Sequence, residues 1–191
     1  IARERRIASH IHLPMQSGNS RILQLMNRKT TREAFFALAD KMRKGISGLT
    51  FSTDVMVGFP TETEEEYNDT LTAMDYLSPI EAFMYYYNLR EGTPAAKMEG
   101  QIDEEVKTAR LERLIDEQLR RCAEMKQKRI GLVSQALVLG PTRNDKEAFL
   151  ARNEHNEMMS FHPSSVSVRP GDIVNLKTTE LKGNTYLAVE A

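Results

Sequence analysis

The sequence has a single cysteine, Cys122, and no apolar run of the roughly eighteen residues needed to span a membrane. One cysteine excludes a disulfide framework and favours a reducing compartment, so we predict a cytoplasmic location without a membrane partner. It also excludes a cysteine-rich metal site within the chain, because a four-iron cluster needs about three or four thiolates. The four histidines show no metal-ligand spacing, and we assign them no metal.

The sequence also lacks an excess of charge of either sign. Its formal net charge is -1, whereas nucleic-acid-binding proteins often carry a strongly basic face. Charged residues make up 28% of the chain and hydrophobic residues 40%, which is an ordinary globular composition. Any contact with RNA must therefore rest on local patches of charge.

The first half of the chain alternates between strand and helix patterns. Apolar residues at i, i+3, i+4 and i+7 predict amphipathic helices, and runs of β-branched residues predict buried strands. This order predicts βαβ units and a parallel sheet. The predicted elements are strands at His10–Pro14, Leu49–Val57 and Glu81–Tyr87, a helix at Thr31–Lys44 with the stripe Phe35, Leu38, Ala39 and Met42, and a helix behind the capping-box pair Thr63 and Glu66 with the stripe Tyr67, Leu71 and Met74.

These units are too few to close a barrel of parallel strands. The chain also begins with Ile1 rather than methionine, and its first residues read as a helix end that runs into a strand. We therefore expect a fragment whose missing units precede Ile1. A partial barrel exposes a sheet edge, so we expect this edge to pair with a second copy of the chain.

A long amphipathic helix is predicted next, at Asp103–Ile130, with Gly131 after its end. Beyond it, turn signals separate several short strands, which is typical of a small β-barrel. We therefore predict two domains, 1–130 and 131–191. The predicted buried stripe of the helix is Leu111, Leu114, Ile115, Leu119 and Cys122, and the predicted strands lie near Ser134–Leu139, Ala148–Arg152, Met158–Phe161, Ile173–Thr179 and Thr185–Val189.

Three stretches of the first domain could bind a ligand, because ligands lie at the carboxyl ends of parallel strands. Gln16 and Gly18 follow the first strand, where a loop with ordinary turn chemistry is the interpretation that the residues alone favour. Asp54 lies within an apolar strand, where a buried carboxylate needs a partner: either a ligand hydroxyl or neighbouring amides. Arg90 follows the third strand and either reaches an anion or is a surface residue of a loop.

The second domain has basic and aromatic residues of the kinds that bind RNA in small barrels. Acidic residues are interleaved with them, so composition alone describes a neutral barrel. The candidates for RNA contact are Arg143, Lys146, Arg152, His155, Phe161 and His162.

Four segments, in order, resemble the signatures of the radical-SAM methylthiotransferases. The first two, HLPMQSGNSRILQLMNR and TDVMVGFPTETEEEY, are similar to HLPxQSGSxxxLxxMxR and TDxIxGFPGETEExF. The next two, MYYYNLREGTPAAKM and EEVKTARLERLIDEQ, are similar to YSxRxGTxAAxM and to the charged helix that leads out of the barrel. The remainder resembles a TRAM domain, the family's small RNA-binding barrel.

The resemblance implies an α/β fold: the C-terminal part of a radical-SAM (βα) partial barrel, followed by a small all-β TRAM (OB-like) barrel. It is closest to the MiaB-type branch, which acts on N6-isopentenyladenosine beside the tRNA anticodon. Ser17 argues against the branch that modifies a ribosomal protein. The branch that acts on threonylcarbamoyladenosine in tRNA stays open, as does a non-catalytic RNA-binding protein without clusters.

The resemblance further implies that the full-length enzyme uses S-adenosylmethionine and two [4Fe-4S] clusters to place a methylthio group at adenine C2. The cluster cysteines would lie outside this chain, so we predict that the chain alone binds no cluster and is inactive. Thr61 and Asn88 replace a usual glycine and serine of the motifs, and we interpret both as tolerated. By the resemblance, the cofactor-binding residues are Gln16, Ser17, Gly18, Asp54, Gly58, Arg90 and Arg28, with Arg28 and Arg90 alternatively facing RNA phosphate.

Overall fold

The computed structural model describes Glu4 and residues 7–165 and 167–191. These residues form two compact units. One unit comprises residues 11–45 and 50–122, and the other comprises residues 46–49, 123–191 and the described residues before Ile11. The elements, in chain order, are β1 (His10–His12), α1 (Ser20–Leu25), α2 (Arg32–Gly45), β2 (Thr50–Val57), α3 (Glu64–Leu77), β3 (Glu81–Tyr86), a 3-10 turn (Ala95–Lys97), α4 (Glu104–Gln127), β4 (Val133–Pro141), β5 (Phe149–Asn153), β6 (Met158–Phe161), β7 (Ile173–Lys182) and β8 (Thr185–Glu190).

The first unit is an α/β unit with a three-stranded sheet in the order β1-β2-β3. Strands β2 and β3 run parallel, with Ser52 opposite Glu81 and Val57 opposite Tyr86. β2 is rich in β-branched and apolar residues, and most of its side chains are buried, as predicted. The strand and helix predictions for this half of the chain are confirmed to within a few residues.

Helix α3 begins at the predicted capping box. The Glu66 N–H donates to Thr63 Oγ1 at 3.3 Å, and the Thr63 N–H donates to Glu66 Oε2 at 2.9 Å. The helix ends at Ser78, which is left-handed with φ +42°. Its predicted stripe of Tyr67, Leu71 and Met74 is buried.

The predicted stripe of α4 is wrong at Leu119, whose side chain is 62% exposed. The same holds for Leu38 of α2, which is also exposed. The buried stripe of α4 is mostly polar, because long side chains can carry their heads to carbonyl and carboxylate oxygens. Gln118 Nε2, for example, donates to the Pro79 carbonyl at 2.8 Å. The buried residues are Lys107, Arg110, Leu114, Gln118, Arg121 and Lys126.

No helix of the described residues combines the length and the apolar character that a membrane crossing requires.

The second unit contains a closed five-stranded barrel in the order β4-β5-β6-β8-β7. It closes because β7 pairs with both β4 and β8. The five predicted strands are therefore confirmed. The alternate side chains of these strands that point inward form the core: Ala136, Val138, Ala151, Met159, Phe161, Leu176, Tyr186 and Ala188.

Candidate functional site

One face of the three-stranded sheet is polar and aromatic, and we call it the open face. Side chains alternate along a strand, so the buried residues Phe51, Thr53 and Val55 of β2 lie on the opposite face. Paired residues of adjacent strands share a face, which brings β3 side chains beside those of β2. The open face consists of Ser52, Asp54 and Met56 of β2, Glu81, Phe83 and Tyr85 of β3, and His12 of β1.

His12 connects the three strands of the open face. Its Nδ1 lies 2.9 Å from Ser52 Oγ, and its Nε2 lies 3.5 Å from Asp54 Oδ2. Its ring meets the Phe83 ring edge-on, with centroids 6.1 Å apart. The Asp54 side chain is 34% exposed, so the prediction of a buried carboxylate is wrong. The His12 ring lies on one side of the carboxylate, and solvent or a ligand can still reach another side.

Gln16 lies four residues after β1, and its backbone pairs with β2 beside Asp54. Its N–H donates to the Asp54 carbonyl, and its own carbonyl accepts from the Met56 N–H, both at 2.8 Å. Its φ is +67°, a left-handed conformation that few residues other than glycine adopt. Backbone of this kind costs free energy and is frequent at functional sites. The structure thus places the backbone of Gln16 against that of Asp54, and the predicted cofactor contact of the two side chains stays a prediction.

Ser17 and Gly18 pack against helix α3. Ser17 is buried with its Oγ 3.4 Å from Thr70 Oγ1, and the Gly18 N–H donates to Thr70 Oγ1 at 3.0 Å. A Cβ on Gly18 would lie 2.5 Å from the Asp69 carbonyl oxygen and 2.7 Å from Ala73 Cβ. Helix α3 is therefore the group that approaches Gly18 closely. Both residues are predicted cofactor contacts, and this stays a prediction, since the contacts that the structure shows for them are with α3.

Gly58 likewise has a protein neighbour, since a Cβ there would lie 2.5 Å from Lys107 Cγ. The Gly58 N–H donates to Glu62 Oε2 at 2.7 Å, and Arg110 Nη1 donates to the same oxygen at 3.0 Å. The Glu62 side chain is fully buried, and this burial raises the pKa of its carboxyl group despite the stabilising hydrogen bonds. Within the acidic run, Glu62 is thus a buried partner of Arg110 and does not cap a helix.

The two remaining arginines predicted to bind the cofactor are exposed. Arg90 lies in the loop after β3, where its carbonyl accepts from the Thr93 N–H. Arg28 lines a cleft whose walls come from α1, α2 and the turn between them, and no open-face residue is among its lining residues. The structure does not bring either arginine into contact with Asp54 or Gln16.

The candidates for RNA contact in the barrel divide into two groups. Arg143, Lys146 and Arg152 are exposed, and Arg152 Nη1 donates to Asn156 Oδ1 at 2.7 Å. Phe161 is 1% exposed and packs tilted against Phe149 in the barrel core, so the prediction that it stacks on RNA is wrong.

The two histidines of the barrel also differ in how far they are exposed. His162 lies at the surface, 3.0 Å from Asp145 Oδ2. His155 is half-buried, and burial lowers the pKa of its imidazole.

The sequence interpretation missed His12, Phe83 and Tyr85 as members of the open face. Phe83 and Tyr85 are 43% and 53% exposed, which is unusual for rings on a parallel sheet. They lie two and four residues after Glu81, so the pairing of Asp54 with Phe83 is enough to place both rings on the open face. Among the described residues, no cluster of three His, Cys, Asp or Glu side chains could hold a metal ion.

The sequence is similar to known proteins over nearly its whole length. A family model described as the Radical SAM superfamily matches residues 2–74. The chain is 38% identical to the tRNA-2-methylthio-N(6)-dimethylallyladenosine synthase of Alkaliphilus oremlandii, over 95% of this chain and 38% of that protein. Proteins of the same name from Halalkalibacterium halodurans and Fusobacterium nucleatum are 42% and 37% identical, over 95% of this chain and 34% and 41% of their own lengths. The chain thus spans about two fifths of the length of the curated relatives it matches.

Proposed function

Because the chain belongs to the radical-SAM methylthiotransferase family, we propose that it is part of a tRNA methylthiotransferase. The complete protein would install a methylthio group at C2 of N6-isopentenyladenosine next to the anticodon, in the cytoplasm. One observation carries the proposal: the side chains of Asp54 and His12 form a polar pair on a parallel sheet, beside the exposed rings of Phe83 and Tyr85 and next to the backbone of Gln16.

The open face fits S-adenosylmethionine in its chemistry. A partly exposed carboxylate such as Asp54 accepts hydrogen bonds from vicinal ribose hydroxyls. Gln16, whose backbone bonds to that of Asp54, has an amide that could add a second polar contact. The rings of Phe83 and Tyr85 offer flat apolar surface to a base. When bound, S-adenosylmethionine supplies the methyl group and the radical that an unactivated aryl C–H bond requires. The residues of this chain would bind the nucleoside part, orient it and exclude water.

The described residues do not fit an iron–sulfur cluster. Cys122 is half-buried, and its Sγ lies 3.2 Å from the Ile80 carbonyl oxygen and 3.0 Å from Gln118 Nε2. One thiol in such a setting cannot supply the thiolates a cluster needs. We therefore propose that both [4Fe-4S] clusters belong to other parts of the complete protein, and that this chain alone is inactive.

For the barrel we propose a TRAM domain, residues 131–191, that binds the tRNA. Arg143, Lys146 and Arg152 are exposed cations of the kind that contact phosphate. A closed five-stranded barrel is an architecture that binds nucleic acids in other proteins. Removal of these charges should weaken RNA binding with little dependence on sequence, as expected for phosphate contacts.

Replacement of Asp54 by asparagine in the complete protein should weaken S-adenosylmethionine binding by about tenfold, because a charge-assisted hydrogen bond to a hydroxyl would become a neutral one. Equilibrium dialysis with labelled S-adenosylmethionine measures this affinity. Asp116→Asn, at an exposed position of α4, is the matched control and should bind like the parent protein. An unchanged affinity for the Asp54 variant would remove Asp54 from the cofactor site.

A further inference from the structure

An open cleft of about 510 Å³ lies where α1 turns into α2. Arg28 and Lys29 line it side by side, and both are exposed. The turn that presents them is well fixed, because Asn27 is left-handed with φ +58° and the Arg28 N–H donates to the Leu23 carbonyl at 2.8 Å. The two cations therefore have a defined direction of approach for a ligand.

The charges of Arg28 and Lys29 are not neutralised by other described residues. Neither side chain makes a hydrogen bond or an ion pair within the part of the chain that the structure describes. Arg21, which also lines the cleft, is different, because its Nη2 donates to Glu66 Oε2 at 2.6 Å. Glu33 reaches the rim, where its Oε2 accepts from Ser20 Oγ at 3.4 Å. The cleft therefore has an excess of positive charge and also presents hydroxyl groups that can donate hydrogen bonds.

The cleft lies at the ligand edge of the sheet. Helix α1 follows the loop that leaves the carboxyl end of β1, and α2 begins where Arg32 Nη1 donates to the Gly18 carbonyl at 2.8 Å. Arg21 also reaches across to the loop after β2, where its Nη2 donates to the Thr61 carbonyl at 2.8 Å. In parallel α/β folds, substrates approach from this edge.

We propose that this cleft binds a backbone phosphate of the substrate RNA, through Arg28 and Lys29. The inference rests on the proposed function and assigns a surface to its substrate. No aromatic residue lines the cleft, so it offers no surface on which a base could stack. Cations and hydroxyls that have no aromatic ring beside them contact the phosphates of the RNA backbone and do not distinguish one base from another. The phosphate would hold the strand at the rim while the target adenine faces the open face.

The test is the affinity of the chain for an anticodon stem–loop RNA, measured by fluorescence anisotropy across a salt series. R28Q/K29Q should bind about tenfold more weakly, and the slope of log K against log salt should fall in magnitude by roughly 1.4, two contacts at about 0.7 each. An unrelated single-stranded RNA of equal length should lose affinity by a similar factor. K41Q/K44Q, which removes two exposed lysines of α2, is the matched control and should bind like the parent chain.

The outcomes distinguish a failure of the cleft proposal from a failure of the proposed function. If the parent chain binds neither RNA, both the function and the cleft fail. If it binds RNA and R28Q/K29Q binds equally well, only the cleft fails. A loss confined to the stem–loop, or an equal loss in K41Q/K44Q, also contradicts a phosphate site in the cleft. In the complete protein, a weaker S-adenosylmethionine affinity of R28Q/K29Q would contradict the phosphate site, because it would assign Arg28 to the cofactor carboxylate instead.

Discussion

Replacement of Arg110 by methionine is expected to destabilise the chain by about 3–5 kcal/mol, because it leaves a buried carboxylate without its cation. Arg110 Nη1 lies 3.0 Å from Glu62 Oε2, and the two side chains are 9% and 0% exposed. Glu62 in turn accepts from the Gly58 N–H, so the loss also loosens the turn after β2. Urea unfolding followed by circular dichroism measures the free energy of unfolding.

Arg113→Met is the matched control for this prediction. Arg113 is half-exposed and pairs with Glu117 at 3.1 Å, so its loss should cost less than about 1 kcal/mol. Adding Glu62→Gln to Arg110→Met should restore part of the stability, because a neutral amide needs no cation. If Arg110→Met were no more destabilising than Arg113→Met, the buried pair would not stabilise this turn.

The penalty should also depend on pH. Burial raises the pKa of Glu62 in the folded chain above its value in the unfolded chain, and Arg110 opposes that rise. Without Arg110 the folded-state pKa rises further, so folding favours the protonated acid. The cost of Arg110→Met should therefore be smallest at acid pH, below the ordinary glutamate pKa, and should grow as the pH rises through the raised folded-state value. A cost that stays constant across this range would contradict an ionised Glu62.

Gly18→Ala is expected to destabilise the chain by about 3 kcal/mol, at or beyond the upper end of overpacking penalties. The new Cβ would lie 2.5 Å from the Asp69 carbonyl oxygen and 2.6 Å from Thr70 Cα. Both atoms belong to the backbone of α3, so no side-chain rotation can relieve the clash. The helix would have to move away from the loop after β1, and the Gly18 N–H would lose Thr70 Oγ1.

Gly45→Ala provides the control for the glycine prediction. Apart from its chain neighbours and the backbone of its own helix, no atom lies within 4 Å of a Cβ at this position, which is the last residue of α2. Alanine should be neutral there, or stabilise by up to about 1 kcal/mol, through the lower entropy of the unfolded chain. Equal unfolding midpoints for the two variants would contradict the close approach of α3 to Gly18.

Much of the fold was predictable because the local signals agree with the tertiary structure. The capping box of Thr63 and Glu66 begins α3, and the strand at Glu81 begins where its pattern predicted. The Leu119 prediction failed because a helix stripe can be buried by polar side chains whose charged heads find partners. Lys107, Arg110 and Gln118 read as solvent-facing residues until their carbonyl and carboxylate acceptors are known.

The candidate site was predictable only in part. A carboxylate within an apolar strand marks Asp54, but its exposure depends on which face the neighbouring strands cover. Glycine signals a close approach at Gly18 without saying whether a ligand or α3 makes it. Phe161 illustrates the same limit, since a ring in a short strand can face either the barrel core or solvent. Strand register decides these cases, and sequence periodicity alone does not fix it.

Nucleoside analysis of RNA treated with the complete protein tests the central proposal most directly. The protein would be reconstituted without oxygen and given S-adenosylmethionine, a reductant and an anticodon stem–loop that contains N6-isopentenyladenosine. Mass spectrometry of the digested RNA should then show the 2-methylthio derivative of that nucleoside, and none when S-adenosylmethionine is withheld. An unchanged nucleoside, or methylthio transfer only to threonylcarbamoyladenosine in a parallel RNA, would contradict the function proposed for this chain.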